Sequence, residues 1–115
     1  MQPAYLNLER DSGSNEQLLV TRLRGKLSLE TVHEFMSSLR PEPAARLVLD
    51  MSGVSHMDSA GVGALVSLFV NRRTNGKSLA LSGLTAHGTA VLQVSGLVKL
   101  LPIFASVEEA VSQPS

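Results

Sequence analysis

The residues of this chain with chemistry to offer are the adjacent Asp58 and Ser59, an aspartate at Asp50, and three scattered histidines. Ser59 lies where an apolar strand-like run gives way to a helix. At a helix start the first N–H groups lack internal partners and the dipole is positive. A serine there can cap the helix, or carry a phosphate that its own domain tolerates. Asp58 has the same ambiguity: it can cap, orient the Ser59 hydroxyl, or meet a partner. Ala60, Gly61, Gly63 and Ala64 offer almost no side-chain bulk, and two glycines this early cost about 1 kcal/mol each relative to alanine. Close approach by another surface is one reason to carry that cost, and tight packing of the helix on a sheet is the other. The outward strip continues through Ala64, Ser67 and Asn71 as a shallow, weakly polar surface suited to a docked helix. The partner-binding candidates are therefore Asp58, Ser59, Ala60, Gly61, Gly63, Ala64 and Ser67.

Other chemistries fit less well. Asp50 ends an apolar run, as a phospho-accepting aspartate does, but no acidic pair near the first strand supplies Mg²⁺ ligands; it reads as a turn-forming strand end. His33, His56 and His87 fall in different segments without paired spacing, and there is no cysteine, which argues against zinc. His56 precedes Ser59 closely, but the residue two before that serine is Met57, so the Gly-x-Ser-x-Gly elbow of a hydrolase is missing. His56 reads as a surface-loop residue. No Gly-x-x-x-x-Gly-Lys-[Ser/Thr] loop is present, so any ATP belongs to a partner. Arg72 and Arg73 read as solvated charges complementing a helix C-terminus. No catalytic residue, metal ligand or cofactor is expected.

The elements that must position Ser59 follow from patterning. The chain has 115 residues, 43 % hydrophobic but only 3 % aromatic, so a single domain over 1–115 packs an aliphatic core. Lys+Arg and Asp+Glu balance at 10 each, which argues against nucleic-acid and polybasic membrane surfaces. No signal peptide or membrane-length apolar run is evident, and a reducing, cytoplasmic setting is expected. Tyr5, Leu6 and Leu8 open a strand. Residues Asp11 to Asn15 form a polar turn, and Leu18–Arg24, closed by Gly25, completes an antiparallel hairpin. Ser28 is placed to cap a helix whose face is Val32, Phe35, Met36 and Leu39, stopped by Pro41 and Pro43. Arg46–Met51 suits a strand covered on both faces, broken at Ser52-Gly53. The helix from Ser59 carries an inner stripe of Val62, Leu65, Val66, Phe69 and Val70, and ends at Asn75-Gly76. Ser78–Leu84 is a strand, and Thr85 caps a helix carrying Val91 and Leu92. A short strand lies within Leu97–Phe104, with Pro102 confining it to an edge. Ser106 and Glu109 make a capping box for a last helix. The order β-β-α-β-α-β-α-β-α implies an α/β fold: a mixed four- to five-stranded sheet with about four helices packed on it.

Leu47 to Val54 (LVLDMSGV), followed by Met57 to Leu65 (MDSAGVGAL), resembles the signature of the STAS domain, a family that includes bacterial anti-sigma factor antagonists and a domain of sulphate transporters. Gly25-Lys26-Leu27, Asn75-Gly76-Lys77, Val94-Ser95-Gly96-Leu97 and Ser106 to Ala110 extend the resemblance to nearly the whole chain. In the antagonists the serine directly after the aspartate is phosphorylated, which implies Ser59 here. Many members carry a second hydroxyl next; Ala60 removes that alternative. The resemblance implies partner switching. The unmodified protein binds an anti-sigma factor serine kinase and frees a sigma factor; phosphorylation releases it, and a metal-dependent serine phosphatase restores it. It implies a monomer or weak dimer. It also admits a STAS subunit of a stress-signalling scaffold or lipid-transport ABC complex, which binds partners without a phosphorylation cycle.

Overall fold

Leu6 and Leu8, two residues apart, and then Leu19, Leu23 and Leu27, four apart, fall on one face of a sheet that the remaining elements complete. A computed structural model describes residues 4–11 and 14–113. Strands β1 (Leu6–Arg10) and β2 (Leu18–Leu27) form the predicted antiparallel hairpin. Of the predicted turn between them, Ser12 and Gly13 lie outside the described residues; Asn15 Oδ1 accepts the N–H groups of Gln17 and Leu18 at 2.9 and 3.1 Å. Helix α1 (Val32–Leu39), strand β3 (Arg46–Met57), helix α2 (Ser59–Thr74), strand β4 (Ser78–Ser82) and helix α3 (Ala86–Val94) follow. A 3₁₀ turn at Leu97–Lys99, strand β5 (Ile103–Phe104) and helix α4 (Val107–Ser112) close the chain. The five strands lie in sequence order, with β2 to β5 mutually parallel.

β3 is buried from both sides, as its apolar run requires. Leu47, Leu49 and Met51 join Phe35, Leu65, Leu68 and Leu92 in the main core beneath α1, α2 and α3. Val48 points the other way, into a smaller cluster with Leu18, Val20 and Ala110 under α4.

Several sequence expectations need correction. β3 does not break at Ser52-Gly53 but runs on to Met57. The polar pair is absorbed within the strand: the Ser52 N–H and hydroxyl both donate to Asp50 Oδ1, at 3.0 and 2.7 Å. Gly53 must be glycine because an added Cβ would stand 2.6 Å from the Leu23 carbonyl oxygen. Burial of Val54 and Met57 then holds the extension against β2, itself longer than expected and shifted in register at Arg22/Arg24 and Gly25/Lys26. Ser28 does not cap α1. The N-cap is Thr31. The Ser28 carbonyl instead accepts the N–H groups of Thr31 and Val32, at 2.9 and 3.0 Å, in a turn that delays the helix. β4 ends at Ser82 rather than Leu84, where Gly83 turns the chain with φ of 64°.

The inner stripe of α2 is also rotated from the expected one. Val62 and Leu65 are buried, but Val70 is exposed, and Gly61, Ala64, Leu68 and Arg72 complete the buried face. Arg72 is not a solvated end charge. Its guanidinium donates to the backbone carbonyls of Ser78, Glu42 and Ala44 at 2.7, 3.2 and 2.5 Å, which lets it stay charged in the interior. Thr85 caps α3 as expected, accepting the Gly88 N–H at 3.0 Å. Ser106 accepts the Glu109 N–H at 3.2 Å, while the Glu109 carboxylate reaches back to the Ala105 N–H at 3.1 Å.

Candidate functional site

Ser59 is the first residue of α2 and is exposed to solvent. Asp58 holds it there. This residue is extended, with φ of −109° and ψ of −175°, and its Oδ1 accepts the Gly61 N–H at 2.9 Å. Its Oδ2 accepts the Leu29 N–H at 3.2 Å, so one carboxylate ties the helix start to the β2–α1 turn. The Gly61 hydrogen bond lowers the Asp58 carboxyl below its ordinary pKa; desolvation opposes the shift, while the Leu29 and Ala60 N–H groups and the nearby His56 add to it. Asp58 is therefore a cap, with both oxygens committed to backbone N–H groups, and the adjacent Ser59 is exposed.

The small residues after Ser59 divide into two roles. Gly61 is buried, and a Cβ there would collide with the carbonyl of Leu27. Its smallness serves tight packing of α2 on the sheet. Ala64 is likewise part of the core, so Gly61 and Ala64 leave the outward strip. Gly63 has open space where a Cβ would stand. Ser59, Gly63 and Ser67, at i, i+4 and i+8, form the exposed line, with Ala60 half-buried beside it.

A groove opens along this line between α2 and α3, with a volume near 550 Å³. Ser59, Val62 and Gly63 form one wall and Ala90, Val91 and Val94 the other; no charged side chain lines it. Val94 is 91 % exposed, the most exposed large hydrophobic side chain among the described residues. Sequence reasoning placed Val91 in a helix but missed the groove. Its signal was the apolar spacing Ala90, Val91, Val94 on a face that Leu92, the buried residue, does not share.

Two other places carry polar groups. On the α4 face, Asp50 sits within β3 rather than at its end, and pairs with Arg22 Nε at 3.3 Å. Burial pushes the Asp50 carboxyl up, but hydrogen bonds from Ser52 and the Arg22 contact outweigh it and hold the pKa below the usual range. No group of three or more His, Cys, Asp or Glu residues placed to hold a metal occurs among the described residues. His56 and His87, far apart in sequence, stack with ring centroids 5.1 Å apart and planes inclined by 21°. His33 stands apart on α1.

The STAS domain family model matches residues 7–110. The chain belongs to the STAS domain family. Its relatives carry the name anti-sigma factor antagonist. It is 28 % identical over 108 residues to the anti-sigma-B factor antagonist of Bacillus subtilis (strain 168), covering 92 % of this chain and 99 % of that one. The fold matches that of the anti-sigma factor antagonist SpoIIAA in its unphosphorylated form, with a TM-score of 0.76 and 21 % identity over 91 % of this chain and 93 % of that one. It also matches the Bacillus cell fate determinant SpoIIAA in its phosphorylated form, with a TM-score of 0.69 and 21 % identity over 91 % and 96 % of the two chains. The five-stranded sheet and four helices of this STAS chain are thus the architecture of those proteins. No helix among the described residues is long and apolar enough to cross a membrane.

Proposed function

We propose that this STAS protein is an anti-sigma factor antagonist that binds an anti-sigma factor serine kinase, and that phosphorylation of Ser59 ends the binding. The observation that carries the reading is the exposed Ser59 at the head of an uncharged groove, with the neighbouring aspartate occupied in capping. The α2 line and the α2–α3 groove receive the kinase. ATP bound by the kinase supplies the phosphoryl group: the Ser59 oxygen forms the new P–O bond, ADP leaves, and the hydroxyl proton passes to a base of the kinase. A sigma factor held by that kinase is freed while the antagonist is bound. A metal-dependent serine phosphatase hydrolyses the ester and restores the hydroxyl.

The switch has a simple energetic basis. Phosphorylation adds about −1.5 to −2 charges. Set against a dry, uncharged surface, that charge is costly to desolvate. A thousandfold loss of affinity corresponds to only about 4 kcal/mol. The helix N-terminus makes the same phosphate tolerable within the free domain. The protein is on this reading a regulated binding module and not itself an enzyme.

The test is incubation with the anti-sigma kinase encoded in the same genome plus ATP, followed by peptide mass spectrometry and binding measurements. Ser59 gains one phosphoryl group; Ser59→Ala binds the kinase but stays unmodified; Ser59→Asp binds weakly. Equal kinase affinity of wild type and Ser59→Asp contradicts the switch. Tight kinase-independent association with another assembly, and no modification, supports the scaffold or transport-complex reading instead.

A further inference from the structure

β3 outruns β4. The β3–β4 ladder ends at Asp50 and Ser82, whereas β3 continues to Met57, leaving the edge of Met51–Met57 without a strand neighbour on that side. The Asp58 N–H donates toward β2, to the Leu27 carbonyl at 3.4 Å, so the Met57 N–H and C=O point to the open side. There His87, in the first turn of α3, takes the place of the missing strand. Its Nε2 lies 3.1 Å from the Met57 nitrogen and 3.3 Å from the Met57 oxygen. His56, the residue before Met57, stacks on the same ring.

One ring nitrogen facing both a donor and an acceptor can satisfy only one of them at a time. Neutral imidazole with its proton on Nδ1 accepts the Met57 N–H. The imidazolium carries a proton on Nε2, donates to the Met57 carbonyl, and leaves the N–H without its partner. Met57 is 2 % exposed, so water does not readily replace that bond. Asp58 and Ser59 follow directly in the chain. On α3, His87 also shares a face with Ala90, Val91 and Val94, which line the groove beside Ser59.

We propose that His87 is a proton-operated latch on the turn that presents Ser59, closed when Nε2 is unprotonated and accepts the Met57 N–H, and reset when Nε2 carries a proton and donates to the Met57 carbonyl. Free imidazole is the side chain that changes charge between about pH 5 and 8. Around the pair, Asp58 lies near His56, Lys26 is the register partner of His56 on β2, and the positive N-terminus of α3 carries His87 itself. α2 and α3 contribute no other charged side chain near this end; Arg72 and Arg73 stand at the far end of α2. The latch is a property of the free domain and holds independently of any phosphorylation of Ser59.

Nuclear magnetic resonance on the full chain tests it. Between pH 8 and pH 5 the Met57 amide resonance titrates with the midpoint of the His87 ring. Its exchange protection, corrected for the intrinsic rate, falls by about fivefold, the worth of one net hydrogen bond. His87→Gln keeps an acceptor without a titration, and in that variant the Met57 amide stays flat. His56→Phe keeps a ring on the stack, and Met57 still follows His87 in one step. A Met57 amide that ignores the His87 titration in the wild type overturns the proposal. So does an unchanged response in His87→Gln, or a response lost in His56→Phe.

Discussion

Adding a methyl group at Gly61 and at Gly63 drives the same helix in opposite directions. Both changes replace glycine by the best helix former, which by itself stabilises by about 1 kcal/mol. At Gly63 nothing lies within 4 Å of the new Cβ, so this gain stands alone. At Gly61 the Cβ meets the Leu27 carbonyl oxygen and lies 3.1 Å from Leu27 Cγ. A backbone carbonyl in a buried ladder does not yield as a flexible side chain does, so the head of α2 must lift from the sheet. Overpacking of this kind costs about 1–3 kcal/mol, and with the loss of fit at the Asp58 cap it exceeds the propensity gain. The expected outcome is Gly61→Ala less stable than wild type by about 1–2 kcal/mol and Gly63→Ala more stable by up to about 1 kcal/mol. For a domain of this length each kcal/mol moves Tm by about 4 °C. Urea unfolding followed by circular dichroism reads both changes with unchanged m-values. Binding separates them again: the added methyl of Gly63→Ala sits on the exposed line beside Ser59 and weakens kinase affinity while stability rises. A Gly61→Ala protein as stable as the wild type refutes the assignment of Gly61 to helix–sheet contact.

Three further outcomes follow from the same geometry. The depressed pKa of Asp58 makes its cap a pH-dependent contribution: it is fully present above the unfolded aspartate value of about 3.9 and is lost as pH falls through the lower folded value. Asp58→Asn therefore flattens the acid limb of the stability curve in urea titrations below about pH 4, and Asp58→Ala loses about 0.5–2 kcal/mol at neutral pH. Arg72→Met removes the donor from the buried Ala44 carbonyl and from the half-buried Ser78 and Glu42 carbonyls, of which Glu42 keeps Lys77 Nζ at 3.4 Å, and destabilises by about 3 kcal/mol, seen as a large drop in the urea midpoint. Val94→Glu, at a position 91 % exposed, leaves Tm within about a degree or two yet lowers kinase affinity at least about tenfold in calorimetry.

The sequence located Ser59 and the helix it heads, because a strand-to-helix junction leaves local marks: an apolar run, a capping residue, then a helical period. The caps at Thr85 and Ser106 were legible for the same reason, since each is a bond between residues three apart. The failures cluster where a bond partner is distant. Ser52-Gly53 reads as a strand end, and only the neighbouring strand, which covers Val54 and Met57 and brings the Leu23 carbonyl against Gly53, explains why the chain continues through it. Arg72 looks solvated until the carbonyls of Glu42, Ala44 and Ser78 converge on it. Val70 looks like an inner residue until Gly61, pressed on Leu27, sets the rotation of the helix.

By itself, then, the amino-acid order determined the element sequence, the hairpin, the strand covered on both faces, and a serine poised at a helix N-terminus. These depend on periods of two and 3.6 residues and on caps that span a single turn. Tertiary structure decided which small residues are surface and which are core. It separated Gly63 from Gly61, gave Asp58 its second bond at Leu29, opened the groove between α2 and α3, and laid His87 against the end of β3. Each of those is a contact between segments about thirty positions apart, set by the way helices pack on a twisted sheet, and no local pattern encodes it.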